Sequence, residues 1–249
     1  GLFMGGHTAP GGHSDTVDFF TISSTGNATD FGNLTQERSR TISFNNSTRG
    51  VRAGGNPYTD TMDFGTIQST GNFVDFGNMI SSRRGVMAAA SPTRGIMAGG
   101  QDPSSGNQGV NTIEFVITST TGNTQDFGDM VKTRRGGAGC SNSVRAVFGT
   151  GYIAPAPSNT ATDNLEFITM ASGGNGINFG DLTYARLETY GAVASSTRGV
   201  FGAGNDGSDN FVNTIDYIEI MSTGDGIDFG DLQDARGGAG GCSNGNGGL

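Results

Sequence analysis

Acidic residues and arginines recur along the chain at fixed distances from a phenylalanine, in five copies. In each copy an acid stands thirteen residues before the Phe and an Arg stands seven residues after it. The acids are Asp18, Asp63, Glu114, Glu166 and Asp216, and the arginines are Arg38, Arg83, Arg134, Arg186 and Arg236. A carboxylate on a strand covered on both faces is poorly hydrated, and a planar guanidinium group can hold it with two hydrogen bonds. The spacing predicts structural ion pairs, with the Arg of the same repeat as the first candidate partner and that of an adjoining repeat as the other.

Other groups of reactive residues lack the context that their chemistry requires. Residues 202–207 satisfy G-x-G-x-x-G, but no helix is predicted after them, and the D-F-G triplets have no accompanying kinase elements. The histidines, His7 and His13, share one loop without further metal ligands, and residues 205–210 lack the distal Glu of a calcium loop. Because active sites are rarely repeated around a ring, we predict no catalytic residue, metal or cofactor, and a protein that is not an enzyme.

The Phe anchors mark five repeats of one supersecondary unit. They are Phe31, Phe76, Phe127, Phe179 and Phe229, at intervals of 45, 51, 52 and 50 residues. Each repeat contains a small-residue strand, a strand ending in Gly-Gly, a variable segment, a third strand such as 112–118, and a T-G-N hairpin before the D-F-G strand. Gly and Asn tolerate the positive φ of a tight hairpin. Four-stranded units at this period indicate a β-propeller.

The composition limits both the fold and the partners. The chain of 249 residues has 45 Gly, no Trp and 33% hydrophobic residues, too little bulky apolar material for one deep core among helices. Charged residues are only 15%, and β-branched and aromatic residues recur in short runs, which favours many short strands over disorder. The net charge of −9 argues against nucleic acid as a partner. No apolar run reaches the length of a membrane span, so membrane insertion is not expected.

The order of marks in each repeat resembles the kelch repeat, although kelch repeats usually carry Trp where this chain has Phe. The phrasing NTIDYI…STGDGIDFGDL, within 213–232, is similar to the kelch-like repeats of structural proteins in marine, especially cyanobacterial, tailed phages. The resemblance covers essentially the whole chain. It implies a single all-β domain over residues 1–249, a five-bladed propeller of four-stranded antiparallel blades.

The two ends of the sequence complement each other. The segment 242–249 matches those that precede each Gly-Gly strand, and its last two residues repeat Gly1 and Leu2. We therefore expect residues 236–244 to supply the innermost strand of the blade begun at Gly1; the alternative is an open part of a longer array. Cys140 and Cys242 occupy the same place in two first strands, which predicts small buried hydrophobes and not a disulfide.

The resemblance also implies a role. It indicates a structural or adhesive module of a phage virion, in the virion or outside the cell, whose expected partners are other virion proteins and a host-surface glycan. The alternative is a kelch-like lectin or protein-binding adaptor outside any virus. The variable segments are 7–15, 56–60, 101–111, 152–163 and 205–213. Equivalent connections of a propeller emerge on one face, so we expect binding there. The candidate residues are His7, His13, Tyr58, Tyr152 and Phe211; alternatively, these segments vary freely and their aromatics only cap blade edges.

Overall fold

A computed structural model describes residues 1–153, 160–208 and 210–241 of the chain. Within these ranges the protein is all-β, with antiparallel strands and one 3-10 helix at Pro103–Ser105, as the sequence predicts. No helix in the described ranges is long and apolar enough to cross a membrane.

The strands form five consecutive units. Unit 1 comprises β1 (Leu2–Thr8), β2 (Gly12–Phe19) and β3 (Thr29–Asn33), and unit 2 comprises β4 (Ile42–Asn45), β5 (Arg49–Ala53), β6 (Thr61–Thr66) and β7 (Val74–Asn78). Unit 3 comprises β8 (Met87–Ala90), β9 (Arg94–Ala98), β10 (Gln101–Asp102), β11 (Gln108–Ile117) and β12 (Gln125–Arg135). Unit 4 comprises β13 (Ala138–Ser141), β14 (Arg145–Gly149), β15 (Tyr152–Ile153), β16 (Thr160–Thr169) and β17 (Ile177–Arg186). Unit 5 comprises β18 (Ala192–Ala194), β19 (Arg198–Gly202), β20 (Thr214–Glu219) and β21 (Ile227–Asp231).

The sheets differ in size, unlike the uniform units expected from the sequence. Unit 1 has three strands, units 2 and 5 have four each, and units 3 and 4 share a ten-stranded sheet because β15 pairs with both β12 and β16. Three variable segments, 7–15, 101–111 and the described part of 152–163, contain strand residues, because cross-strand pairing continues into them. Residues 236–241 form no strand, and 242–244 lie outside the described residues.

A β-bulge marks the last two strands of every unit at the recurring acid. In unit 3, Ile113 faces Gly128 while Glu114 faces Asp126, so the anchor Phe127 is left without a partner. Gly128 has φ +144°, a conformation that glycine adopts without steric cost. A bulge re-aims the neighbouring side chains and frees the backbone groups of the extra residue. The D-F-G triplet is therefore the sequence of the bulge.

The apolar core lies between units. Each of the four hydrophobic clusters combines side chains from two successive units: 1 with 2, 2 with 3, 3 with 4, and 4 with 5. The short first strands β4, β8, β13 and β18 lie next to one another in that order. A Cβ atom added to Gly139 of β13 would lie 2.4 Å from the Ala88 carbonyl oxygen of β8, so small residues let these backbones approach. Cys140 is buried with a free thiol whose pKa burial raises to about 12, whereas Cys242 lies outside the described residues.

Candidate functional site

The recurring acids and arginines meet at the joints, by which we mean the contacts between successive units. Four buried ion pairs connect the Arg of one unit with the acid of the next: Arg38 with Asp63, Arg83 with Glu114, Arg134 with Glu166, and Arg186 with Asp216. The side chains are at most 1% exposed, and Arg134 Nη2 lies 2.5 Å from Glu166 Oε1. The first candidate partner, the Arg of the same repeat, is wrong. The acid faces the preceding unit, whereas its own unit's Arg follows the fourth strand toward the next unit.

Each of these carboxylates accepts a further hydrogen bond from the residue four places after the preceding anchor Phe. The shorter acids accept from a threonine hydroxyl, and Asp63 accepts from the Thr35 backbone N–H as well, at 3.1 Å. The longer acids accept from the backbone N–H of an apolar β-branched residue. The bonds are Thr35 Oγ1 to Asp63 (2.5 Å), Thr183 Oγ1 to Asp216 (2.5 Å), Ile80 N to Glu114 (2.8 Å) and Val131 N to Glu166 (2.6 Å). Acid length and donor type therefore vary together across each joint, a relation that sequence reasoning missed although both positions are visible in the repeat.

The arginines are further bonded to backbone oxygens of the next unit. Arg134 Nη1 donates to the Asn164 carbonyl oxygen at 2.8 Å, and Arg38 Nη1 donates to that of Thr61 at 2.7 Å. Burial lowers the pKa of Arg83 and of Arg186 to about 10, which leaves both guanidinium groups charged at neutral pH. A buried charge with its partner removed is strongly destabilising. The four buried ion pairs therefore hold successive units together and are not accessible to a ligand.

The two halves of the recurring decapeptide bind each other across every joint. The carbonyl oxygen of the bulged Phe127 accepts from Gly174 N at 2.7 Å, and Asp129 N donates to Asn175 Oδ1 at 3.0 Å. A Cβ atom on Gly128 would lie 2.5 Å from the Gly174 oxygen. The same bonds recur at the other three joints. The T-G-N hairpin of each unit thus binds the D-F-G bulge of the preceding unit.

A second arginine series, which the sequence reasoning did not single out, reinforces the joints at the hairpin end. Its members stack on third-strand aromatics: Arg49 on Phe64, Arg94 on Phe115, Arg145 on Phe167, and Arg198 on Tyr217. The first three also donate to a backbone oxygen of the next unit, namely Thr118, Met170 and Ile220. The recurring T-R-G and V-R-A triplets before the second strand are the signal that identifies them.

The two outer faces, one on unit 1 and one on unit 5, each carry the residues that form one side of a joint elsewhere in the protein. Asp18 and Arg236 make no ion pair within the part of the chain that the structure describes. A Cβ atom on Gly230 of the last bulge would meet nothing within 4 Å, whereas one on any of the other four bulge glycines would meet the backbone of the next hairpin. The last anchor, Phe229, is 56% exposed, whereas the other four are buried. Of the five ion pairs in the sequence prediction, four are present and the fifth is not formed among the described residues.

The aromatic residues of the variable segments lie at the opposite end of the units from the hairpins. Tyr58 Oη donates to Asn107 Oδ1 at 2.9 Å, and Tyr152 lies in β15. Phe211 is 55% exposed and packs against Gly237. The structure therefore does not gather these three side chains into one pocket, and their binding role remains a prediction.

The two histidines face each other as a cross-strand pair between β1 and β2. Their ring centroids are 5.0 Å apart, and His13 Nε2 lies 3.3 Å from Asn56 Nδ2. Among the described residues no group of three or more His, Cys, Asp or Glu side chains is placed to hold a metal ion. In the 205–210 segment, the Asp206 carboxylate accepts bonds from Ser208 N and Asn210 N, as in a self-contained turn.

Comparison of the chain with protein-family models and with curated proteins found no match. The evidence for a function therefore lies in the joints and in the end of the units that carries the variable segments.

Proposed function

We propose that the chain is a five-bladed kelch-like β-propeller that serves as a non-enzymatic structural or adhesive module of a phage virion, displaying its variable segments to another virion protein or to a host-surface glycan. The observation that carries this proposal is a difference within each unit between the contacts that form the joints and the segments that vary. Equivalent desolvated contacts recur at all four joints, while segment length varies most at the end away from the hairpins. A rigid scaffold that presents variable segments is the usual arrangement of recognition surfaces.

The ring itself is supported by the complementary outer faces. Asp18 and the Gly26–Asn27 hairpin on unit 1 match Arg236 and the Phe229–Asp231 bulge on unit 5, residue for residue, in the pattern of the four formed joints. Unit 1 has one strand fewer than units 2 and 5 among the described residues, so one edge of β1 has no partner strand there. We propose that the fifth joint, with Arg236 beside Asp18, closes the ring.

Closure can be tested by cysteine cross-linking. In a Cys140→Ala, Cys242→Ala background, Asn27→Cys with Asp231→Cys should form an intramolecular disulfide on mild oxidation, seen as a faster-migrating monomer on a non-reducing gel. The matched control is Asn72→Cys with Asn33→Cys at the first formed joint, where Asn33 N and Asn72 Oδ1 are 3.0 Å apart. Cross-linking of the control with only intermolecular products from the end pair would overturn closure.

The virion role is tested by locating the protein. Antibodies raised against the purified chain should label intact particles of the phage that encodes it, visible by immunogold electron microscopy, and mass spectrometry should detect the chain in purified particles. Labelling that is absent from particles and from their mass spectra would refute the virion role and favour the non-viral lectin or adaptor.

A further inference from the structure

Three arginines stand apart from those that hold the units together. Arg84 and Arg135 directly follow the buried Arg83 and Arg134, and Arg40 follows Arg38 by two residues. Arg84 bonds only to neutral amide oxygens in the described part of the chain, Gln101 Oε1 at 2.8 Å and Asn56 Oδ1 at 2.9 Å. Arg40 is exposed and makes no ion pair with any described residue. Three positive charges therefore outnumber the one acid placed near them, Glu188, although the chain as a whole carries −9.

Backbone hydrogen bonds between units bring the three arginines together. Gly85 N donates to the Arg40 oxygen at 3.3 Å, and Gly136 N donates to the Gly85 oxygen at 2.9 Å. These bonds connect the segments that enter the first strands of units 2, 3 and 4, at the end where the variable segments emerge. The second arginine series lies at the other end, since Arg94 begins β9, opposite the last residue of β11, whereas Arg134 pairs with Val110 near the start of β11.

Two tyrosines complete the group. The Arg135 guanidinium carbon lies 4.2 Å from the Tyr152 ring centroid. A Cβ atom on Gly136 would lie 3.4 Å from Tyr190 Oη and 3.6 Å from the Tyr152 ring, so the two tyrosines share one surface. Burial and then the Glu188 charge raise the pKa of Tyr190, against the opposing effects of Arg40, Arg135 and Arg84. The Tyr190 hydroxyl therefore lies close enough to all three arginines for their charges to affect its pKa.

At one position of the repeat, near these arginines and tyrosines, two units have a residue with a side chain where the other three have glycine. Arg40 and Glu188 have φ of +50° and +55°, and the matching residues of the other units are glycines: Gly85 (+61°), Gly136 (+65°) and Gly238 (+69°). Tyr190 also has positive φ, at +21°. Left-handed backbone at residues other than glycine is unfavourable and is concentrated at functional sites. Folding alone would be served better by glycine at these positions.

We propose that the arginine–tyrosine cluster, defined as Arg40, Arg84, Arg135, Tyr152 and Tyr190, binds a carboxylated saccharide. A guanidinium fork holds a carboxylate with two parallel bonds, and exposed tyrosine rings with a polar edge pack against sugar faces while their hydroxyls bond to sugar hydroxyls. Nucleic acid fits less well, because its phosphates require an extended basic stripe and this cluster is one compact site on an acidic protein. The inference rests on the proposed display function and specifies its ligand class.

The test is isothermal titration of the whole chain with trigalacturonic acid and with its uncharged methyl ester. Binding of the acid should exceed that of the ester by about tenfold or more, because one charge-assisted bidentate contact is lost in the ester. Arg84→Ala and Arg135→Ala should each weaken binding of the acid by about tenfold, and Arg135→Lys by less, since it retains charge without the fork. Arg198→Ala removes a stacked arginine at the hairpin end and should leave binding unchanged. Circular dichroism and thermal unfolding verify that each variant is folded.

Equal binding of acid and ester, unchanged binding by folded Arg84→Ala and Arg135→Ala, or tighter binding of oligothymidylate than of trigalacturonic acid would each overturn the inference. Its failure is distinguishable from failure of the proposed function. Labelled virions together with no preference for the acid would remove only the ligand class, whereas acid binding without virion labelling would retain the site and remove the virion role.

Discussion

Arg134 and Arg135 are neighbours on one strand, and their surroundings differ completely. Arg134 is fully buried, ion-paired with Glu166 and bonded to Asn164, whereas Arg135 is partly exposed and stacks on Tyr152 at the surface. Because successive side chains of a strand point to opposite sides, adjacent positions can serve different purposes. Arg83 and Arg84 repeat the arrangement in the preceding unit. In each of these Arg-Arg pairs, the first arginine binds the next unit and the second lies at the surface.

The buried member of the pair should dominate stability. Arg134→Met should reduce the free energy of unfolding by about 3–5 kcal/mol, because Glu166 is left as an unpaired charge in a dry site. Arg135→Met should reduce it by about 1 kcal/mol or less, since Arg135 is partly exposed and its stack on Tyr152 lies at the surface. Urea denaturation followed by circular dichroism measures both. Equal losses from the two substitutions would contradict the separation of roles.

Glycine substitutions compare a formed joint with the outer face. Gly128→Ala should cost about 2–4 kcal/mol, because a Cβ atom there meets the Gly174 backbone and the positive φ is strained. Gly230→Ala shares the strain, with φ +133°, but meets no described atom within 4 Å. If the ring closes, Gly230→Ala should destabilise as much as Gly128→Ala in the same denaturation assay. A loss of only about 1 kcal/mol at Gly230 would indicate that strain acts alone and that the fifth joint is open.

The relation between acid length and donor predicts coupling across a joint. Glu166→Asp should destabilise the protein because the shorter carboxylate lacks the threonine hydroxyl that Asp63 and Asp216 accept from, and adding Val131→Thr should recover about 0.5–1.5 kcal/mol by supplying that hydroxyl. A double-mutant cycle from four denaturation curves gives the coupling energy. Strict additivity of the two substitutions would show that the relation between these positions has no energetic content.

The smallest effects on stability are expected at the end that carries the variable segments. Tyr58→Ala and Tyr152→Ala should each change the free energy of unfolding by about 1 kcal/mol, because these side chains are only partly buried. They should nevertheless weaken attachment of the chain to its virion or glycan partner, measurable by surface plasmon resonance on immobilised particles. Retention of full attachment in both variants, with the contact mapped to the T-G-N hairpins, would place recognition at the opposite end.

The amino-acid sequence by itself determined the repeat, the strand order within each unit and the residue types of the joints. Period, glycine placement and apolar alternation depend on local backbone sterics and on burial of one face, both of which can be read along the chain. Thus the third strand predicted at 214–220 coincides closely with β20, and the one predicted at 112–118 overlaps β11, which begins earlier, at Gln108.

Only the tertiary structure decided which acid meets which arginine. Spacing along the chain favours Arg38 for Asp18, but Arg38 reaches Asp63, because the sheets pack face to face and the shortest path in space crosses between units. The bulge that frees the Phe127 oxygen, the pairing of Gly174 with it, and the approach of Tyr190 to Arg40 likewise depend on contacts between segments far apart in sequence. Local patterns specify what each unit offers to a neighbour, and the geometry of packing specifies which neighbour receives it.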